Sequence, residues 1–489
     1  MFVTDSKKPE VFSSVLVEND FSFSRSLPRG KIRKEIESRR FFVYNKNGSK
    51  ITGIFPFGSE AMERWFRLDN AAKIFPAVTK NENSSIFRIA LELDRTIDPE
   101  LLQKAADLTL RRYPLLQVKI RRGVFWNFFD QNERPFLVQP ETVYPCAPLD
   151  PRTGNGYFFR VLYYQNNLSV EMFHSLTDGT GALEFLKSLT YQYLLLSGET
   201  IRDEGLVLRP DDDPSRYELE DSFNRYYRPT KAKHEKEPKA FRLEGTPFEP
   251  FGNNVVTGDL SASKIHAAAK KRGATITEYL TAVLIHSIRE SRMEYGYFQQ
   301  RRPVTVSIPV NLRSVFPSKT LRNFFGVANV CVHLEEGMDF EAILSAVCRE
   351  LKEKSAKPRL EEMIAENVRL EKNLAVKFVP LVLKKLVLKE AFIFRGENLK
   401  TITISNLGRL KLPEDMASHV RRCQLILYPT VKSPANCGVC TFGDRLTFSF
   451  TRTILENDFI REFFRFLEKD AGTEIEIHSN NWGYPNETV

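Results

Sequence analysis

Residues 171–181 read EMFHSLTDGTG, and the spacing within them suggests chemistry. His174 is followed four and five positions later by Asp178 and Gly179. A neutral imidazole accepts a proton near neutral pH, so a histidine held beside a reacting hydroxyl or amine is a general base. Its neighbours, Asp178 and Gly179 among them, would then hold it in position. The same residues also read as a packed strand end followed by an Asp-Gly turn. At average residue usage, H-x-x-x-D-G arises by chance in roughly a few per cent of chains this long. The spacing alone therefore decides nothing, and the surroundings must.

Other chemistries find less support. Cys437 and Cys440 form a single C-x-x-C within NCGVC. A zinc site needs a second pair or histidines at suitable spacing, and none follows closely, so no metal is expected. No G-x-S-x-G elbow is present, which argues against a serine nucleophile of that type. His286 falls in an apolar helical pattern and reads as packed. His234 and His266 read as exposed, and His333, His419 and His478 lack a motif.

The elements around His174 can be predicted. YFFRVLYY and LSVEMF, separated by Gln165-Asn166-Asn167, form a hairpin over 157–173. In its second arm Leu168, Val170 and Met172 share one face, and continued alternation puts His174 on that apolar face. GALEFLKSLTYQYLLLSG then reads as a helix ending at Gly198. Upstream, Phe87, Ile89, Leu91 and Leu93 alternate as a strand, and DPE opens a helix with Pro99 in its first turn. Downstream, SASKIHAAAKKRG is a helix stopped by Gly273, and Thr275 with Glu278 fits a capping box. VTVSIPV, VANVCVHLE, TITIS, QLILYPT and RLTFSFTR read as strands. Strands alternating with helices throughout give an α/β protein.

At 489 residues the chain exceeds one ordinary core. Residues 1–60 are expected to be a polar, basic extension. Residues 61–225 form a first lobe that carries the histidine, 226–250 a charged linker, and 251–489 a second lobe. The 71 basic residues against 62 acidic ones leave a formal charge of +9. No basic stripe or recognition motif accompanies that excess, so no nucleic-acid partner is expected. The N-terminus lacks an apolar signal core, and no apolar run is long enough to span a membrane. A soluble, cytoplasmic monomer is the expectation. Residues 373–394, apolar with interspersed lysines, read as a helix packed on one lobe with its lysines outward, with a peripheral membrane helix as the alternative.

FHSLTDGTGALEFL, together with WFRLDNAAKIFPAV (65–78), YPLLQVKIRRGVFW (113–126), SIPVNLRSVFP (307–317), LRNFFG (321–326) and TISNLG (403–408), resembles acyltransferases of the chloramphenicol acetyltransferase-like fold. That group includes condensation domains, BAHD acyltransferases, mycobacterial polyketide-associated acyltransferases and alcohol acetyltransferases. The likeness runs over about residues 65–470 and is strongest to the bacterial alcohol acetyltransferase-like branch. It implies two lobes, each a mixed sheet with helices, and an active site at their interface. It implies transfer of an acyl group from a thioester, acyl-coenzyme A or a carrier-borne phosphopantetheine, to a small alcohol or amine.

Carried over residue by residue, the resemblance makes His174 the base and Asp178 a structural organiser. It pairs Asp178 with Arg313 of PVNLRS, and it suggests Ser405, Asn406 or the amide of Gly179 as oxyanion donors. The family's motif usually begins with two histidines, and here Phe173 holds the first position. That departure makes a peptide-forming condensation domain a poorer match. The alternative is a catalytically silent docking module on the same fold.

Overall fold

A computed structural model describes residues 65–80, 83–150, 154–230, 237–292, 301–373 and 378–480, with Val43–Tyr44, Lys50–Ile51, Val376 and Trp482. Two compact units, Met1–Arg64 and Trp65–Val489, divide the chain. In the first, β1 (Val43–Tyr44) and β2 (Lys50–Ile51) pair antiparallel. The remainder of the expected extension, and His234, lie outside the described residues.

The second unit opens with β3 (Trp65–Arg67), a 3-10 turn at Ala71–Lys73 and the short helix α1 (Phe75–Val78). Next comes β4 (Ile86–Leu93), whose alternating Phe87, Ile89, Leu91 and Leu93 are all buried. Asp98 caps α2 (Pro99–Leu110) by accepting from the amides of Glu100 and Leu101. β5 (Val118–Arg122) and β6 (Asn127–Gln131) join β3 in a three-stranded sheet. β7 (Gln139–Pro140), β8 (Phe159–Tyr164) and β9 (Asn167–Phe173) follow, the last two as the expected hairpin. β9 lies against β4 with Ile86 opposite Phe173. α3 (Gly179–Leu196) closes the first core with Phe185, Leu186 and Leu189, against Leu102 and Ala105 of α2.

Beyond α4 (Ser222–Tyr226), the second lobe is built from β10 (Asn254–Ser261), α5 (Ala262–Lys271), α6 (Ile276–Ser291), β11 (Val304–Asn311) and β12 (Phe325–Val332). Gly273 follows α5 at φ +68°, and the Thr275–Glu278 capping box opens α6 as predicted. Then come α7 (Phe340–Lys354), α8 (Lys357–Lys372), α9 (Leu381–Arg395), β13 (Ile402–Arg409), α10 (Glu414–Ala417), β14 (Val420–Ile426), β15 (Ala435–Phe442), β16 (Arg445–Arg452), α11 (Asp458–Ala471) and β17 (Glu476–Ser479). Seven strands form one mixed sheet in the order β12-β11-β13-β15-β16-β10-β17, parallel at β11–β13 and β13–β15.

Chain order and space part company in three places. β14 leaves the second lobe and pairs with β4, extending the first lobe's sheet to β14-β4-β9-β8-β7. The chain after residue 251 is therefore shared between lobes. Part of the expected 226–250 linker is core: Phe241, Leu243 and Phe248 are buried, and the Phe241 amide donates to Pro303 O at 2.7 Å. Its charged composition masked three apolar anchors. Helix α9 is also turned from its expected orientation, because Lys384 is buried while Val382, Leu383, Leu386 and Val387 are exposed.

The C-x-x-C lies on β15 with both sulfurs buried. Residues three apart on a strand face opposite ways, so Cys437 joins the second-lobe core and Cys440 the first. The pair cannot chelate one ion.

Candidate active site

The hairpin delivers His174 one residue past the end of β9. Its backbone amide donates to the carbonyl of Ser85 at 2.9 Å, which continues the β4–β9 ladder past the last paired residues. Ser85 holds φ at +54°, an unusual conformation for a side-chain-bearing residue. The imidazole stacks on Phe75 with centroids 4.6 Å apart and rings nearly parallel. Phe87 and Phe325 close two further sides at 5.0 and 5.2 Å. The ring is half-buried, so it keeps a solvent-facing edge. Burial among these rings pushes its pKa below the ordinary imidazole value, and the Asp178 charge and the hydrogen bond the ring donates to Asn323 only partly oppose this. The neutral form is thereby favoured.

Asn323 settles which nitrogen is basic. Its amide NH₂ lies 3.3 Å from Asp69 Oδ2, and its Oδ1 lies 3.1 Å from His174 Nδ1. Since a carboxylate oxygen only accepts, the amide nitrogen must face Asp69 and the amide oxygen must face the imidazole. His174 Nδ1 therefore carries the proton, and Nε2 keeps its lone pair. Asp69 is fully enclosed. Desolvation raises its pKa to about 6, against the lowering effect of Arg322. Its Oδ1 accepts the Ala72 amide at 2.8 Å and anchors the turn leading to Phe75. Asp69, Asn323 and His174 thus form a chain across the lobes. Nothing local in WFRLDNAAKIFPAV or LRNFFG marks Asp69 or Asn323 for this contact, since they stand 254 positions apart.

The residues after His174 are anchored both within the first lobe and to the second. Ser175 Oγ donates to Ala72 O at 2.9 Å, and Thr177 Oγ1 to Leu321 O at 2.6 Å. Asp178 caps α3 through Oδ1, which accepts the amides of Thr180 and Gly181. Its Oδ2 accepts from Arg313 Nη1 and from the Phe324 amide, both at 2.8 Å. Arg313 also donates to the carbonyls of Thr320, Arg322 and Phe324 and to Asn311 Oδ1. Asp178 and Arg313 are thus brought together in a nearly dry, fully hydrogen-bonded pair.

Two glycines permit this closeness. A Cβ at Gly179 would lie 2.7 Å from Leu407 of β13, and one at Gly181 would lie 2.2 Å from the Leu321 carbonyl. Inside a helix, Gly→Ala normally gains about 1 kcal/mol. At Gly181 the clash should win, since a backbone carbonyl cannot swing aside as a side chain can. Gly181→Ala is expected to lose roughly 1–3 kcal/mol in urea unfolding. A more stable variant would show that the 320–324 segment yields.

The expected oxyanion donors differ in availability. Asn406 already uses its amide, with Nδ2 near Thr277 Oγ1 at 3.3 Å and Oδ1 accepting from Gly408. Ser405 stands half-buried beside it on β13. The Gly179 amide, first in α3, is left out of the Asp178 cap and sits at the positive end of the helix. His286 is wedged edge-on between Phe340 and Phe466, as a packed residue would be. Asp259, Glu476 and His478 group closely enough to suggest a metal. Arg422 and Arg445 already neutralise Asp259, so an ion-pair cluster accounts for it.

No family model and no curated sequence matches the chain. Solved structures do. Polyketide synthase associated protein 5 from Mycobacterium tuberculosis aligns at 14% identity over 82% of this chain and 97% of its own, with a TM-score of 0.53. The first condensation domain of the calcium-dependent antibiotic synthetase, solved with a substrate analogue, aligns at 14% identity over 84% and 96%, with a TM-score of 0.54. A variant of the starter condensation domain of rhizomide synthetase RzmA, in complex with C8-CoA and Leu-SNAC, aligns at 13% identity over 85% and 96%, with a TM-score of 0.52. At these identities the likeness is one of fold. The chain has the condensation-domain-like, chloramphenicol acetyltransferase-like fold that its sequence suggested. No helix among the described residues is long and apolar enough to cross a membrane.

Proposed function

We propose that the protein transfers an acyl group from a thioester, acyl-coenzyme A or an acylated carrier pantetheine, to an alcohol or amine, with His174 Nε2 as general base. The observation that carries this reading is the Asn323 contact, which supports a proton on Nδ1 and a basic Nε2 on a neutral, partly buried ring. Nε2 takes the acceptor's proton as its oxygen or nitrogen attacks the thioester carbonyl. The tetrahedral oxyanion needs a donor, and the Gly179 amide, which the Asp178 cap leaves out at the helix N-terminus, is the group we favour. Collapse breaks the C–S bond, and the proton on Nε2 passes to the departing thiolate. No covalent enzyme intermediate is required. Asp178 and Arg313 hold the lobes in register and stay out of the proton path.

Asn323 is a positioning residue in this scheme. Asp69 orients its amide, and the nearby Asp178 charge favours the imidazolium that forms transiently. Turnover should be flat above the ordinary imidazole range, because His174 is already neutral there. It should fall on acidification through a pH below that range, because burial depresses the pKa. Asn323→Leu should lower the plateau roughly tenfold, the scale of one hydrogen bond at about 1.4 kcal/mol. It should also move the acid limb to still lower pH, since the lost bond favoured the charged ring. A lowered plateau with an unmoved limb would leave Asn323 a merely structural role.

The direct test incubates the protein with acyl-coenzyme A and a panel of alcohols and amines, and follows free thiol. Acceptor-dependent release supports the reading. Acyl-coenzyme A binding without acceptor-dependent release would favour a silent docking module.

A further inference from the structure

Helix α9 presents the wrong side to water for a solvated helix. Val382, Leu383, Leu386, Val387 and Phe394 are exposed, Val382 by 75% and Val387 by 67%. They recur at helical spacing on one side of the helix. Among the described side chains of the helix, Glu390 is the one charged residue that is exposed. The inward side carries Leu381 and Lys384, the latter with its ammonium 3.9 Å from the Trp126 ring centre.

The apolar surface continues onto a second element. The turn between β5 and β6 carries Val124 and Phe125, both exposed. The Leu381 amide donates to Val124 O at 2.9 Å, and Lys384 Nζ to Phe125 O at 3.0 Å. Phe378, just before the helix, meets Phe125 edge-on at 6.0 Å. Two elements far apart in sequence are thus tied together with their apolar side chains outward. An isolated exposed leucine needs no explanation, but eight exposed large apolar residues on two joined elements do.

Cations flank this patch. Lys385 and Lys389 border the exposed stripe of α9, and Arg121 and Arg122 end β5 just before the turn. Arg121 is paired with Asp130. Arg122 lies close enough to Lys385 to help lower the lysine's pKa, although burial is the larger cause. Like charges gathered beside an apolar face cost energy that a negative surface would offset. Lysine is depleted from protein–protein interfaces, whereas in-plane membrane helices carry it on their polar flanks.

We propose that α9 and the β5–β6 turn form a docking surface for an anionic lipid bilayer, with the helix lying in the headgroup plane. The proposal does not depend on the reading of His174. It does have a spatial consequence, because α9 packs on α1, and Phe75 of α1 stacks on His174. The docked protein would hold one wall of its candidate site next to lipid.

The test uses the full chain and sedimentation with phosphatidylglycerol-rich vesicles, with pure phosphatidylcholine vesicles as the second arm. Wild type should bind the anionic vesicles, bind the neutral ones less, and be released by salt. Leu386→Glu with Val387→Glu should lower the bound fraction at least about tenfold, since two apolar side chains leave the bilayer. Both residues are exposed, so the melting temperature should not change. Lys385→Glu with Lys389→Glu should weaken anionic binding and spare neutral binding. Absence of binding to the anionic vesicles, or equal binding by the Leu386→Glu, Val387→Glu protein, overturns the proposal. So does self-association lost in that variant without vesicle binding, which would assign the face to a second copy of the chain.

Discussion

His174→Ala is expected to leave a folded protein whose acceptor-dependent thiol release has fallen by about 10²–10⁴-fold, the range for removing a general base. The side chain sits between rings and makes one side-chain hydrogen bond, to Asn323. Its loss should cost about 0.5–3 kcal/mol, the range of ordinary substitutions, so the drop in turnover would not be a folding effect. Melting curves beside initial rates separate the two. His174→Gln keeps a polar group near Asn323 and supplies no comparable base, so it should be as inactive as alanine. Full turnover in either variant would return residues 171–181 to the bland reading of a strand end and a turn.

The second large effect is on stability, at Asp178 and Arg313. The two side chains are nearly buried and 2.8 Å apart, and the carboxylate also caps α3 and holds the Phe324 amide. Removing one partner strands the other in a dry environment, which costs about 3–5 kcal/mol. Asp178→Ala should be the worse of the two, because it also uncaps a helix, adding about 1 kcal/mol. Arg313→Ala frees carbonyls at Thr320, Arg322 and Phe324, which water can reach more easily than it can solvate a stranded guanidinium. The double variant should be less damaged than the sum of the singles, since it leaves no unpaired charge. Urea unfolding of the four proteins gives the coupling energy. Additive losses would mean that the pair does not act as a unit. In either single variant, lost turnover should track lost folding, the opposite of the pattern at His174.

What the sequence determined was local or periodic. The hairpin of β8 and β9 follows from alternation broken by a polar turn, and the same alternation carried His174 onto the face of Leu168, Val170 and Met172. The capping box at Thr275 and Glu278 and the stop at Gly273 depend on a few neighbouring residues, so they could be read directly. Arg313 was reached only through resemblance, because nothing within the stretch PVNLRS says which carboxylate it meets.

The tertiary structure decided whatever depended on which surfaces cover each other. Asn323 meets His174 across 149 positions and Asp69 across 254, and an asparagine between an arginine and two phenylalanines carries no local sign of either contact. β14 has the pattern of any half-buried strand, and only packing sends it to β4 in the other lobe. Phe241, Leu243 and Phe248 lay hidden in a charged stretch, since composition averages over the few side chains that anchor a segment. Helix α9 is the sharpest case. Its periodicity shows two unlike faces but cannot say which one turns inward. The choice fell to Trp126 and the β5–β6 turn, which take Lys384 and leave Val382, Leu383, Leu386 and Val387 outside.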